Sequence, residues 1–192
     1  MRNSASKEIA AAALRLLEKE GVDAVSMRRV AEEVGITPMA IYHHFPNRDA
    51  LLRSITDGEF QRLLQFCFRR LRAGRLESAL LNILDGYLDY AIAYPNLFDY
   101  VFLKPRPDAR RFPQDFRARK SPTLNLIADA ASDAMKAGVL RKDDPWEVAM
   151  AMWAEAHGCV TLYRAGRFAM SERQFRAFYR RSLRRLLIGL QV

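Results

Sequence analysis

Apolar residues recur every three to four positions along almost the whole chain, the spacing that brings side chains onto one face of an α-helix. Ile9, Ala12, Ala13, Leu16 and Leu17 mark a first helix, with Ser4 or Ser6 available as N-cap and Gly21 as its stop. A second, short helix is capped by Ser26, carries Val30, Ala31 and Val34 on one face and ends at Gly35. Thr37 can cap a third, with Pro38 at its first position and Ile41 and Phe45 on one face before Pro46 ends it. Asn47 opens a long fourth helix through Leu51, Leu52, Ile55, Phe60, Leu63, Leu64 and Leu71, continuing to about residue 72.

Residues 78–93 carry Leu81, Leu84, Leu88 and Ile92 at helical spacing before Pro95 forces a break, and a short aromatic helix follows over 96–102. Residues 104–122 hold four prolines among seven cations and read as a long loop. Helices resume over 123–136, closed by Gly138. Asp144-Pro145-Trp146-Glu147 starts a helix whose Ala149, Met152, Trp153, Ala156 and Val160 form a stripe. The last helix, from 171 to about 189, lines up Phe175, Tyr179, Leu183, Leu186 and Leu190. No alternating period-two run of useful length occurs, so the expected fold class is all-α.

Composition narrows the function classes. Of 192 residues 50% are apolar, enough to bury a core, while nine Gly and eight Pro exclude collagen-like and low-complexity chains. Cys67 and Cys159 are the only cysteines, far apart, and read as core residues in a reducing compartment instead of a disulfide framework. The longest uninterrupted apolar run, Val148 to Ala154, is seven residues, and a membrane span needs about 20. Met1-Arg2-Asn3-Ser4 leads into a short Ala-rich stretch broken by Arg15 and Glu18, unlike a signal peptide, which predicts a soluble, cytoplasmic protein with no membrane partner. No nucleophile elbow, phosphate-cradling Gly-rich loop or Ser/Cys with a nearby base is present, and His43, His44 and His157 lack metal-site spacing, so neither an enzyme, a cofactor nor a metal is expected.

Residues 26–45 fit a helix-turn-helix. Ala31 is small where two helices approach, Gly35 tolerates positive φ in the turn, and Val30, Val34, Ile36 and Ile41 hold the pair together. The longer run from Val25 to Leu52, above all Tyr42-x-His44-Phe45-Pro46-x-Arg48-x-x-Leu51, resembles the DNA-binding domain of TetR-family transcriptional regulators. The resemblance covers residues 5 to about 60. It implies a helix-turn-helix DNA-binding domain over residues 1–50, a helical ligand-binding and dimerisation domain over 51–192, and double-stranded operator DNA as partner.

Physical roles follow for the motif. Ser26 can cap the second helix while its hydroxyl and the first-turn N–H groups face a phosphate, and Arg28 can reach a phosphate or base edge. The third helix would lie in the major groove with Thr37, Pro38, Met39 and Ala40 toward the bases. Tyr42 and His44 would hydrogen-bond phosphates, Arg48 would do so with charge assistance, and His43 is exposed and ambiguous. The pattern departs from the family's at three places. Met27 stands where Thr is frequent, Arg48 where Lys is, and Met39 where a small residue is usual; Met39 and Ala40 offer apolar contact, suited to thymine methyl groups.

Asn96-Leu97-Phe98-Asp99-Tyr100-Val101-Phe102, Trp153-x-x-x-His157-Gly158 and Gly166-Arg167-Phe168 resemble a recurrent C-terminal subtype of the same family. One reading makes His157 a polar anchor in a pocket lined by Tyr90, Phe98, Phe102 and Trp153 that takes an apolar or amphipathic small-molecule effector. The other makes these residues core aromatics and a satisfied core histidine. The final helix sets Arg173, Arg176, Arg180, Arg181, Arg184 and Arg185 around its apolar seam, which is expected to pair with a second copy in a homodimer.

The expected function is thus a homodimeric repressor released from its operator by ligand. The alternatives are a ligand-independent DNA-binding regulator acting with partner proteins, and a basic C-terminal region that binds acidic partners or lipid headgroups. The net charge of +9 does not by itself support DNA binding. Residues 1–60 hold eight Lys and Arg against nine Asp and Glu, whereas the other 132 residues hold 23 against 13. That excess suits long-range attraction to DNA or an anionic ligand.

Overall fold

Helix boundaries follow capping side chains through most of the chain. The computed structural model describes residues 2–71, 78–105 and 109–192, and the described chain is built of helices with no strand. The order is α1 (Arg2–Glu20), a 3-10 turn (Val22–Ala24), α2 (Met27–Val34), α3 (Pro38–Tyr42), α4 (Arg48–Leu71), α5 (Ala79–Ala93), α6 (Pro95–Phe98), a π turn (Asp99–Leu103), α7 (Gln114–Arg117), α8 (Pro122–Lys136), α9 (Pro145–Arg164) and α10 (Glu172–Gly189). Ser26 Oγ accepts from Arg29 N, Thr37 Oγ1 from Ala40 N and Asp144 Oδ1 from Trp146 N, so each satisfies a donor the helix start leaves open. Ser171 and Gln174 close a reciprocal capping box on α10. The all-α expectation holds.

Three local expectations change. Helix α1 already runs from Arg2, so Ser4 and Ser6 lie within it and neither caps it. Helix α3 ends at Tyr42, because His44 N and Phe45 N both fold back onto the Ile41 carbonyl, at 2.8 and 2.9 Å. The proline-rich stretch 104–122 carries the short helix α7; its residues 106–108 lie outside the described residues, as do 72–77 beyond the end of α4.

The chain forms two compact units, Met1–Arg62 with Tyr90–Pro107, and Leu63–Asp89 with Asp108–Val192. This grouping differs from a linear division at residue 50. In the first unit Ile9, Ala12, Ala13 and Leu17 of α1 are fully buried with Val30, Ile41 and Leu51. Glu59 of α4 is a buried carboxylate there, reached by Tyr90 Oη at 3.2 Å and by Arg62 at 3.4 Å. Burial pushes its carboxyl above the ordinary value, while the Arg62 charge and the Tyr90 hydrogen bond pull the other way. Arg62 also holds Glu18 of α1 at 2.5 Å.

In the second unit α5, α8, α9 and α10 share a core. Gly86 of α5 is required by a close helix approach: a Cβ there would lie 2.6 Å from Cys67 Cα and from the Phe66 carbonyl oxygen on α4. Cys67 and Cys159 are free, buried thiols, and burial pushes them up to about 12 and about 11. The α10 seam is not a free face. Phe175, Tyr179 and Leu183 are fully buried within this unit, Tyr179 Oη donates to the Leu84 carbonyl at 2.7 Å, and Phe175 stacks on Tyr163 of α9. The expectation that this seam meets a second copy is therefore corrected, since α5 and α9 of the same chain already cover it. No described helix is long and apolar enough to cross a membrane.

Candidate nucleic-acid interface

The turn between α2 and α3 is set by Gly35, whose φ of 77° lies in the left-handed region that a Cβ disfavours. Its N–H and that of Ile36 return to the Ala31 carbonyl, closing α2, and Thr37 then starts α3. Val30, Ala31 and Ile41 are buried at the α2–α3 junction, so the two short helices are fixed by packing and not by their own length, which is too small for stability in water.

This packing leaves one face of the pair to solvent. Thr37, Pro38 and Met39 are exposed, Met39 at 69%, and Ala40 is half-buried. Tyr42 is 48% exposed and His43, which caps α3, is also exposed. Met39 is thus presented to solvent while Ile41, two residues on, is fully buried. Ser26 is half-buried, with its oxygen taking Arg29 N, which leaves its hydroxyl hydrogen for an acceptor. Arg28 is exposed and pairs with Glu32 at 3.2 Å, a solvated ion pair weak enough to exchange for a phosphate. Met27, in contrast, is buried core.

His44 is half-buried and its Nδ1 lies 3.0 Å from Ser6 Oγ of α1. Sequence reasoning missed Ser6 by assigning it to a cap; no local signal joins residues 38 positions apart. Arg48 is half-buried and engaged within the protein: Nε donates to the Val25 carbonyl at 2.6 Å and Nη2 to the Val22 carbonyl at 2.5 Å.

The five aromatic and imidazole residues expected to line an effector pocket fall into two groups. Tyr90, Phe98 and Phe102 belong to the first unit, where Phe102 packs edge-on to Phe60 and lies 5.1 Å from Phe98 between ring centroids. Trp153 and His157 belong to the second, one helical turn apart on α9 with rings 5.3 Å apart. His157 Nδ1 lies 2.8 Å from Tyr87 Oη, a partner that sequence reasoning also missed, and burial holds the imidazole below the ordinary histidine value. Among the described residues no three His, Cys, Asp or Glu side chains gather as a metal site would require.

A small helical head presenting the exposed start of α3, followed by a larger helical unit, defines a helix-turn-helix DNA-binding regulator. Residues 9–55 match the family described as "Bacterial regulatory proteins, tetR family", and residues 80–186 match "Tetracyclin repressor-like, C-terminal domain". The chain belongs to the TetR family of transcriptional regulators and is not an enzyme. It is 35% identical over 86 residues to the HTH-type transcriptional repressor KstR of Mycolicibacterium smegmatis, covering 45% of this chain and 42% of that one. The chain spans about half the length of the curated relatives it first matches. Among solved structures, a Rhodococcus protein of unknown function superposes with a TM-score of 0.82 at 25% identity, over 97% of this chain and 95% of that one. FadR of Bacillus subtilis, solved in complex with stearoyl-CoA, has a TM-score of 0.73 at 15% identity, over 96% and 99% of the two chains.

Proposed function

We propose that the chain is a homodimeric transcriptional repressor that a small amphipathic effector releases from operator DNA in the cytoplasm. The observation that carries the reading is the exposed start of α3, Thr37-Pro38-Met39, flanked by exposed Tyr42 and by the N-terminus of α2. In this reading Thr37, Pro38, Met39 and Ala40 meet base edges in the major groove. Ser26, Arg28, Tyr42, His43 and His44 meet the phosphates on either side.

Dimerisation has support on the outer faces of α9 and α10. Ala151, Ala154, Glu155, Gly158 and Leu162 follow one another along α9 at helical spacing, and Arg181, Ser182, Arg185 and Ile188 do so on α10. Ser182 Oγ donates to Glu155, which puts the two stripes side by side. Leu162 and Ile188 are 49% and 59% exposed, and the Ala and Gly positions admit close approach of a second helix pair.

Tyr90 and Phe98 are fully buried, with Tyr90 bonded to Glu59, so the support for an amphipathic effector comes from the aromatic surface of Phe102, Trp153 and His157, which are only partly buried. A structural neighbour that carries stearoyl-CoA and a relative named as a repressor favour the same reading. Release requires the effector to bind the non-DNA conformer more tightly, by about 5.5 kcal/mol for a near-complete switch. Native mass spectrometry of the purified chain, followed by a gel shift with the extracted compound added back, tests this. The reading expects a bound compound that lowers operator occupancy. Occupancy unchanged at saturating compound would leave a ligand-independent regulator.

A further inference from the structure

We propose that Arg48 is a positioning residue of the DNA-binding head and not one of its phosphate contacts: its guanidinium clamps the turn between α1 and α2 and holds the start of α2 against α4. The proposal rests on the reading of that head as the part that binds DNA.

Arg48 is the first residue of α4, where the positive pole of the helix disfavours a cation. Two backbone carbonyls offset this. Nε donates to Val25 O and Nη2 to Val22 O, both from the 3-10 turn and its C-cap. The Val22 carbonyl already accepts Val25 N at 3.2 Å within the turn and offers the guanidinium its second lone pair, while the carbonyls of Ala24 and Val25 stand at the turn's end, where helical partners are lacking. Arg29 secures the same turn, through Nη1 to Ala24 O at 3.3 Å and Nη2 to the Glu20 carboxylate at 2.9 and 3.0 Å. Three carbonyls of the turn, those of Val22, Ala24 and Val25, are thereby held by two arginines.

The position of Val25 gives the clamp its consequence. It directly precedes Ser26, the N-cap of α2, and its own side chain is buried. Holding its carbonyl fixes the peptide from which α2 starts. That sets where the Ser26 hydroxyl, the first-turn N–H groups and Arg28 point. The chemistry also accounts for arginine where lysine is usual. Nε and Nη2 form one planar edge with two parallel donors, which suits two carbonyls three residues apart, whereas an ammonium is a single donor atom. With that edge on neutral carbonyls, Nη1 and the outer Nη2 hydrogen are the donors that remain, and the salt dependence of binding decides whether a phosphate uses them.

The test compares wild type, Arg48→Gln and Arg48→Lys on a duplex recovered by random-site selection with the wild-type chain. Binding is measured across a NaCl series, and amide hydrogen exchange is measured on the DNA-free proteins. A lost phosphate contact lowers the slope of log K against log salt by about 0.9. The clamp predicts instead that both variants weaken binding about ten-fold, as loss of a charge-assisted bond implies, with the slope unchanged. It also predicts faster exchange confined to residues 22–30 in both. A slope reduced by about 0.9 in Arg48→Gln, with affinity and slope kept in Arg48→Lys, overturns the proposal. So does exchange over 22–30 that matches wild type. If no duplex is enriched, the DNA-binding reading fails, and the exchange measurement decides the clamp by itself.

Discussion

A histidine has two ring nitrogens, and the partner of one decides which is offered to a ligand. Ser6 Oγ lies beside His44 Nδ1, so in the proposed interface Nε2 would be the ring nitrogen that meets a phosphate. Ser6→Ala is expected to weaken operator binding several-fold, as loss of one hydrogen bond implies, with the melting temperature unchanged. Fluorescence anisotropy on a labelled duplex reads this, and an affinity equal to wild type would show that Ser6 does not set the ring. His157 obeys a different control. Burial lowers its folded-state affinity for a proton, so the unfolded chain binds one first as pH falls. The stability it contributes is present above about pH 6.5, the unfolded value, and is lost below it. Thermal melts from about pH 7.5 to about pH 5.5 should show falling stability in wild type and a flatter profile in His157→Gln. Equal profiles would place the acid sensitivity elsewhere.

Among the elements, close helix approach is the most demanding feature. Gly86→Ala inserts a Cβ 2.6 Å from the backbone of α4, and backbone cannot yield as a flexible side chain does. A loss of about 2 kcal/mol or more is expected in a denaturant titration, and a loss under about 0.5 kcal/mol would mean that α4 and α5 are not held at this spacing. Little of this was readable beforehand, because Gly86 sits inside a regular helical pattern that does not reveal its neighbour. Capped elements were readable: Ser26, Thr37-Pro38, Asp144-Pro145 and Ser171 act locally, on residues two or three positions away. The helical stretch at 96–102 was readable, though not its π turn at 99–103, whereas the start of α1 at Arg2 was misplaced and helix α7, anchored by buried Phe116, was missed. The α10 stripe was read correctly as apolar, but periodicity does not say what covers a stripe. In the same way Arg48 was placed in the motif while its carbonyl partners, more than 20 residues away, were invisible.

For the whole molecule, the charge distribution separates steering from reading. The excess of cations lies outside residues 1–60, so in the proposed dimer it would serve long-range attraction to DNA or an anionic ligand, while sequence would be read by a few placed groups doubled through a second copy. A single head with so few contacts binds weakly, and only two heads held at a fixed separation select a site with two related halves. Random-site selection followed by native mass spectrometry of the recovered complex tests this most directly. The account predicts an enriched duplex with inverted-repeat halves, occupied by an even number of chains, whose affinity falls steeply with salt and is lost in Tyr42→Ala. Enrichment of no sequence, or a duplex bound by one chain with Tyr42→Ala as tight as wild type, would contradict it.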